Sequence, residues 1–418
     1  MEKITLNNGL RLVLLPVPDV RSASFGLWVL SGSRYENKQN NGVSHFVEHM
    51  VFKGTRSRSA FNIADITDNL GGQINAYTAK EFTCFYGKTL DTHLMQGLDL
   101  VFDMLENPLF DKNDLETERG VILEEIGMYE DSPEDLASDL LHLNLFQEDM
   151  LGENIAGTKE VVSRLSADDL FSYMSETYIP ERAVVTVGGS FDMEEVIKKV
   201  EALFKDKKSP ERSSLSEVKS NFKQKPVTVL SKKDFEQISL LMSLPAFGIG
   251  DKRRFVMAAL NSILGGSQTS RLNQKIREEL GLAYSAYSYA TAYINTGFLG
   301  IGLQVNPKNE EKAIAETVKI LKDFTESLTC EEIKSTLEKI KISTVLGFES
   351  ISSRVGFLGR NELLLGELRT TDMILDEIDR VTPEQVFELS CEIIDAGKLS
   401  LSVVGKVKKE SFYKKIMA

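Results

Sequence analysis

Residues 41–50 read NGVSHFVEHM and hold two of the four histidines found in 418 residues, at positions i and i+4, with a glutamate immediately before the second. On a helix advancing roughly 100° per residue, His45, Glu48 and His49 fall within an arc of about 100°. Val43, Phe46, Val47, Met50 and Val51 cluster on the opposite side. One face packs and the other presents three polar groups. Two imidazoles one turn apart can bite a single zinc ion, which takes nitrogen ligands at about 2.0–2.1 Å in a tetrahedral set. Glu48, beside the second ligand, can reach a water on such a metal without occupying the metal, as a general base must. Zinc lowers the pKa of that water toward about 7, so a carboxylate can accept its proton at neutral pH. The order H-x-x-E-H is the mirror of the H-E-x-x-H zincin motif. Two solvated histidines on a polar helix face would be the bland reading, and the scarcity of histidine in this chain weighs against it.

A catalytic zinc needs a third protein ligand and one open position. His93 and His142 are possible suppliers, and so are Glu116, Glu118, Glu124 and Glu125 of the helical segment DLETERGVILEEIGMYE. Glu118 and Glu125 lie seven apart, hence on one face, and could serve a single site. Spacing alone does not choose among the four carboxylates.

The elements that must position these groups follow from length and pattern. A chain of 418 residues exceeds what one core usually supports and predicts two domains of about 200 residues each. Hydrophobic content of 42% and charged content of 27% are ordinary for a folded soluble protein. The net charge of −13 excludes the phosphate-binding surface of a nucleic-acid protein and favours basic peptides as guests. No apolar run of 18 residues predicts a membrane span, and the opening MEKITLNNGLRLVLLP lacks a signal-peptide pattern. Cys84, Cys330 and Cys391 are odd in number and far apart. They read as reduced, mostly packed thiols in a cytoplasm.

The opening reads as a hairpin turning at Asn8-Gly9, followed by a strand at Ser22–Leu30. Helical periods cover 43–69, 93–106 and 114–129, and Ala183–Gly189 is a further strand. The stretch 205–226, charged, Ser-rich and bounded by prolines, has the composition of a linker. Beyond it the pattern starts over. LSADDLF at Leu165 resembles VTPEQVF at Val381, and each leads through a helix to a strand closed by Val187-Gly188 or Val404-Gly405. LGGQINAYTA at Leu70 lies over LGLAYSAYSY at Leu280, an offset of 210. That offset carries His45 and His49 onto Phe255 and Ala259, so the second half repeats the architecture and lacks the chemistry.

His45-Phe-Val-Glu48-His49 with Glu125 inside ERGVILEEIGMYEDSPED resembles the pitrilysin, or M16, metallopeptidases. The likeness is nearest to short bacterial members related to the mitochondrial processing peptidase. It spans nearly the whole chain through NNGL at the start, SGSRYE at Ser31, FKGT at Phe52, NAYT at Asn75 and SRLNQKIREELGLAYS in the second half. The resemblance implies that Glu125 is the third ligand to one zinc per chain and that Glu118 supports the site. It implies that Arg277 and Tyr284 of the inert half reach the substrate, whereas IREELGLAY alone would read as a helix end capped by Gly281. In the family QINAYTA is an edge strand, on which Asn75 and Ala76 would hold an extended peptide by backbone pairing. Asp135 and Asp139 resemble an acidic pair that holds an arginine near the cut, which suits bidentate carboxylate bonding, although by themselves they read first as a solvated helix face in an acidic protein. The stretch Leu264–Arg271 is much shorter than the glycine-rich loop of the non-catalytic processing subunit, which puts guidance by such a loop in doubt.

The expected fold is α+β. It has two homologous α/β domains, 1–204 carrying zinc and 227–418 carrying the Arg/Tyr pair, each a mainly antiparallel sheet layered with helices. Together they would form a clam-like chamber. The expected function is zinc-dependent endopeptidase action on short or unfolded peptides by a cytoplasmic homodimer, with no nucleic-acid or membrane partner. The rivals are a non-catalytic peptide-binding chamber subunit and a purely structural zinc protein.

Overall fold

The computed structural model describes residues 1–205, 226–232 and 234–417. The expected linker 205–226 lies, apart from its two end residues, outside the described residues. The chain forms two compact units. The first comprises Met1–Gly127, the described part of 153–217 and Gly347–Arg369. The second comprises Met128–Gly152 and the described parts of 218–346 and 370–418.

In the first unit β1 (Glu2–Thr5) and β2 (Arg11–Pro16) form the hairpin expected from the sequence, with Gly9 at φ +89 in its turn. With β3 (Ser22–Val29), β4 (Gln73–Thr78), β5 (Thr83–Leu90) and β6 (Ala183–Gly189) they make a six-stranded sheet of order β1-β2-β6-β3-β5-β4. Only β2 and β6 run parallel. β4 is a terminal strand, and its burial alternates because Ile74 and Ala76 face the core while Gln73, Asn75 and Tyr77 face away. The second unit builds a five-stranded sheet from β7 (Val227–Ser231), β8 (Ile238–Ala246), β9 (Ala283–Ala292), β10 (Gly297–Val305) and β11 (Ser400–Gly405). Its order β7-β11-β8-β10-β9, with β7 and β11 parallel, repeats β2-β6-β3-β5-β4. The internal repeat read from the sequence is therefore a repeat of topology.

Helix α1 (Val43–Val51) turns its apolar side, Val43, Phe46, Val47, Met50 and Val51, into the main core of the first unit. The helical period that seemed to run on to residue 69 is broken. Gly54 stands at φ +137, and Ser59 opens α2 (Ala60–Asn69) with a capping box shared with Asn62. Helix α3 (Leu94–Glu106) lies against the same core, and α4 (Lys112–Glu130) buries Leu115, Glu118, Arg119, Ile122 and Ile126 on one stripe. Arg119 anchors α4 by donating to the carbonyls of Val162 and Leu165, with its guanidinium 5.5 Å above the Phe46 ring of α1.

The two units differ from the contiguous halves expected at 1–204 and 227–418. Helix α5 (Pro133–Leu145) packs Ala137, Leu141 and Leu145 against Leu241, Phe298 and Val404 of the second sheet. Its counterpart about 218 residues on, the helix Ile351–Leu365, packs Leu358 and Leu363 against Val13, Leu15, Trp28 and Val184 of the first sheet. Each sheet takes the covering helix encoded with the other. An amphipathic stripe says that a helix needs an apolar face to cover and does not say whose. Among the described residues no helix is long and apolar enough to cross a membrane. Of the three thiols only Cys84 is buried, while Cys330 and Cys391 are exposed rather than packed.

The start of α1 is pinned by two glycines in close approach. Gly42 has φ +97, and Gly157 has φ +80 with a hypothetical Cβ only 2.3 Å from the Asn41 carbonyl oxygen. Gly157→Ala is expected to destabilise the protein by at least about 2 kcal/mol through backbone strain. A lowered urea midpoint with unchanged slope would register it.

Candidate active site

The polar side of α1 meets α4. His45 Nε2 and His49 Nε2 each lie 3.7 Å from the same oxygen, Glu125 Oε2, and the imidazole centroids are 4.5 Å apart. The three candidate ligand atoms all lie within 4.8 Å of one another. Ligand atoms around a tetrahedral zinc with bonds of about 2.1 Å stand about 3.4 Å apart, so a small inward adjustment closes this set on one ion. Two imidazole nitrogens and one carboxylate oxygen are also the donor chemistry that zinc favours. The residues fit the metal.

Protonation supports the same fit. Burial, and then the neighbouring His49, lower the His45 pKa to about 4 against an opposing pull from Glu125, which leaves a neutral imidazole at physiological pH. His49 Nδ1 lies 2.9 Å from Glu118 Oε1, and an Nδ1–H donated to that carboxylate leaves Nε2 free for a metal. Glu118 is 5% exposed and takes a second partner, Lys53 Nζ, at 2.6 Å from its other oxygen. Glu118 thus orients a ligand and is not one itself. Both lie on α4, where a spacing of seven puts Glu125 two turns beyond Glu118 on the same side.

Glu48 stands outside the three-ligand set. Its Oε2 accepts a hydrogen bond from Thr78 Oγ1 at the end of β4, which ties the acid to the terminal strand. Burial pushes the Glu48 carboxyl above its ordinary range. The Thr78 bonds and His49 oppose that shift, and Glu125 adds to it. A carboxylate held beside a dication site with its pKa moved upward has the properties of a proton acceptor.

The other expected residues fall as follows. His93 ends a short turn before α3, and His142 on α5 bonds the Ser138 carbonyl and the Tyr293 hydroxyl, so neither belongs to the cluster. Glu116 pairs with Arg119, and Glu124 faces solvent. Asn75 and Ala76 lie on terminal strand β4, where the Asn75 side chain accepts from the Ala76 amide at 2.8 Å. Asp135 and Asp139 on α5, together with Arg277 and Tyr284, belong to the second unit. Arg277 sits in a π-helical turn, Asn273–Glu279, rather than on a plain α-helix end, and its side chain is half exposed. Gly281 follows at φ +57, as a helix terminus requires. Tyr284 is 78% exposed on β9. Lys53 and Thr78, which contact Glu118 and Glu48, carry no signal of those roles in the sequence. Both lie inside quoted motifs, FKGT and NAYT, but nothing local says that they reach Glu118 and Glu48.

Comparison with known proteins agrees with this architecture. Residues 11–159 match the model of insulinase, peptidase family M16, and residues 164–340 match the M16 inactive domain. The chain is 40% identical over 396 residues to an uncharacterized zinc protease of Bacillus subtilis, YmxG, covering 94% of this chain and 95% of that one. It is 36% identical to an uncharacterized zinc protease of Streptomyces coelicolor, covering 98% of this chain and 90% of the relative. The fold is shared with the crystal structure of a protease from Helicobacter pylori, with a TM-score of 0.89, 20% identity and coverage of 97% and 99% of the two chains. An H-x-x-E-H helix facing a carboxylate helix, followed by a repeat without the motif, defines a class of two-repeat metallopeptidases. This chain belongs to peptidase family M16.

Replacing Glu118 with Gln should weaken zinc binding about 10- to 100-fold, because His49 loses its charged orienting partner. Replacing Glu125 with Gln should weaken it further by removing a ligand. Competition with a chromogenic chelator measures both.

Proposed function

We propose that the protein is a zinc-dependent endopeptidase, and the observation that carries this is the convergence of His45, His49 and Glu125 with Glu48 held beside them. When bound there, zinc supplies a Lewis acid that polarises a peptide carbonyl and makes a water acidic near neutral pH. Glu48 takes the proton from the attacking water and later returns it to the leaving amine. Thr78 aims the Glu48 carboxylate, and Glu118 keeps His49 in the tautomer that leaves Nε2 free.

The substrate, on this reading, is an extended peptide pairing with β4 through the backbone of Asn75 and Ala76. That mode accepts many sequences. Arg277 and Tyr284 are the donors we assign to the developing oxyanion and the substrate backbone. Asp135 and Asp139 would hold a basic side chain, in keeping with the net charge of −13. One zinc per chain, a homodimer and an enclosed cavity that admits only short or unfolded peptides complete the proposal. Light scattering tests the dimer, and metal analysis tests the stoichiometry.

The deciding experiment pairs metal analysis with cleavage of a quenched fluorogenic peptide. Glu48→Gln should retain zinc while kcat falls by about 10²- to 10⁴-fold. A wild-type protein that binds zinc and cuts no peptide would identify a non-catalytic binding subunit. A protein that unfolds on chelation would identify a structural site.

Thr78→Val should keep zinc and lose less activity than Glu48→Gln. Thr78 stabilises the charged carboxylate, so its loss raises the Glu48 pKa, and the acid limb of the kcat/KM profile should move to higher pH.

A further inference from the structure

Helix α1 begins without a cap of its own. Its N-cap is Gly42, which has no side chain to offer, and the first-turn amides must find acceptors elsewhere. The Val43 amide takes the Asn40 carbonyl at 3.0 Å, and the Ser44 amide finds Glu36, which is 6% exposed and eight residues upstream. Glu36 Oε2 accepts from the Gly42 amide at 2.7 Å and from Asn41 Nδ2 at 3.0 Å. Glu36 Oε1 accepts from the Ser44 amide at 2.8 Å and from Ser44 Oγ at 2.5 Å. A carboxylate at this end of a helix also meets the positive pole of the helix dipole.

The network extends inward in one direction. Since Ser44 Oγ gives its proton to Glu36, the Tyr173 hydroxyl, 2.7 Å away, must donate to Ser44, and Ser31 Oγ in turn donates to Tyr173 at 3.0 Å. Tyr173 is buried on the helix Ala167–Thr177. The loop bearing Glu36 is itself fixed by a buried ion pair between Arg34 and Glu81 at 2.5 Å, so SGSRYE contributes Ser31, Arg34 and Glu36 to one construction. Burial pushes the Glu36 carboxyl up while the Ser44, Gly42 and Asn41 donors oppose it, so the charged form depends on those donors staying in place.

The two imidazoles are not held alike. His49 has Glu118 on Nδ1, whereas the buried Nδ1 of His45 has no hydrogen-bond partner among the described residues. The direction of the His45 ring therefore depends on where the first turn of α1 sits. We propose that Glu36, Ser44 and Tyr173 act as a positioning device for His45, fixing the first turn of the metal-binding helix in place of the missing ring partner. This rests on the zinc-site reading above.

The test uses the full chain and three variants: Glu36→Gln, Tyr173→Phe and, as a control, Leu98→Ala in the same core but outside the network. Glu36→Gln replaces an acceptor by an amide group facing the donors of Gly42 and Ser44. Tyr173→Phe keeps the ring and its packing and removes the donor to Ser44 together with the acceptor of Ser31. The expected result is zinc affinity about 10- to 100-fold weaker in Glu36→Gln and reduced several-fold in Tyr173→Phe. In the chelated proteins, the amides of Phe46–Met50 should exchange hydrogen faster than in wild type. The double variant should fall short of the product of the two single effects, as coupled groups do. Leu98→Ala should lose stability and keep wild-type zinc affinity.

Zinc affinity within twofold of wild type in Tyr173→Phe, with unchanged exchange in α1, would overturn the proposal, and that variant decides the matter if Glu36→Gln does not fold. Failure of the underlying site is separable, because His45→Ala would then bind zinc as wild type does.

Discussion

The structure turns on keeping two imidazole nitrogens and one carboxylate oxygen, from two different helices, within a few ångströms of a common point. The cluster is short of positive charge. Glu48, Glu118 and Glu125 meet imidazoles of which His45 is held neutral by burial, and Lys53 compensates Glu118. A dication supplies what is missing, and it can do so only if the helices do not spread before it arrives. Much of the first unit can be understood as preventing that spread. The apolar side of α1 is locked in the main core, α4 is tied by Arg119 to carbonyls of a neighbouring segment, and the ring of Phe46 lies beneath the same guanidinium.

The groups around the ligands divide the work by distance. Glu118 touches a ligand and sets its tautomer. Thr78 touches the acid and not the metal ligands, so strand β4 and the acid are mechanically linked. A peptide that pairs with β4 would therefore press on the strand that aims Glu48. The second repeat keeps the strand order without the histidine pair, with Phe255 and Ala259 standing where an offset of 210 places the two histidines. A repeat without the motif is a scaffold free to present other polar groups, such as Arg277 on its π-turn. Such turns are uncommon and often accompany function.

How much of this is legible in the sequence depends on the range of each interaction. The metal helix was legible because its ligands and its packing side alternate within nine residues, and the repeat was legible because similar segments recur at nearly constant offset. Glu118 and Glu125 shared a face by spacing alone, but choosing Glu125 as the ligand needed a resemblance. The hydrogen bonds from Thr78 to Glu48, from Lys53 to Glu118 and from Tyr173 to Ser44 cross 30, 65 and 129 residues, and no local pattern encodes them. The break between α1 and α2 is legible after all, because residues 53–59, KGTRSRS, hold Gly54 and no large apolar residue. Residue type alone does not fix exposure, and Cys330 and Cys391 lie exposed where packed thiols are expected.

The exchange of covering helices has a consequence for how the polypeptide is made. When residues 1–204 have left the ribosome, the sheet face bearing Val13, Leu15, Trp28 and Val184 still lacks Leu358 and Leu363, which are encoded near the far end. Until the helix Ile351–Leu365 is synthesised, that surface stays wet or borrows a temporary cover. The repeats are thus obliged to mature together, and neither can be cut away as an independent module without stripping one wall from the other.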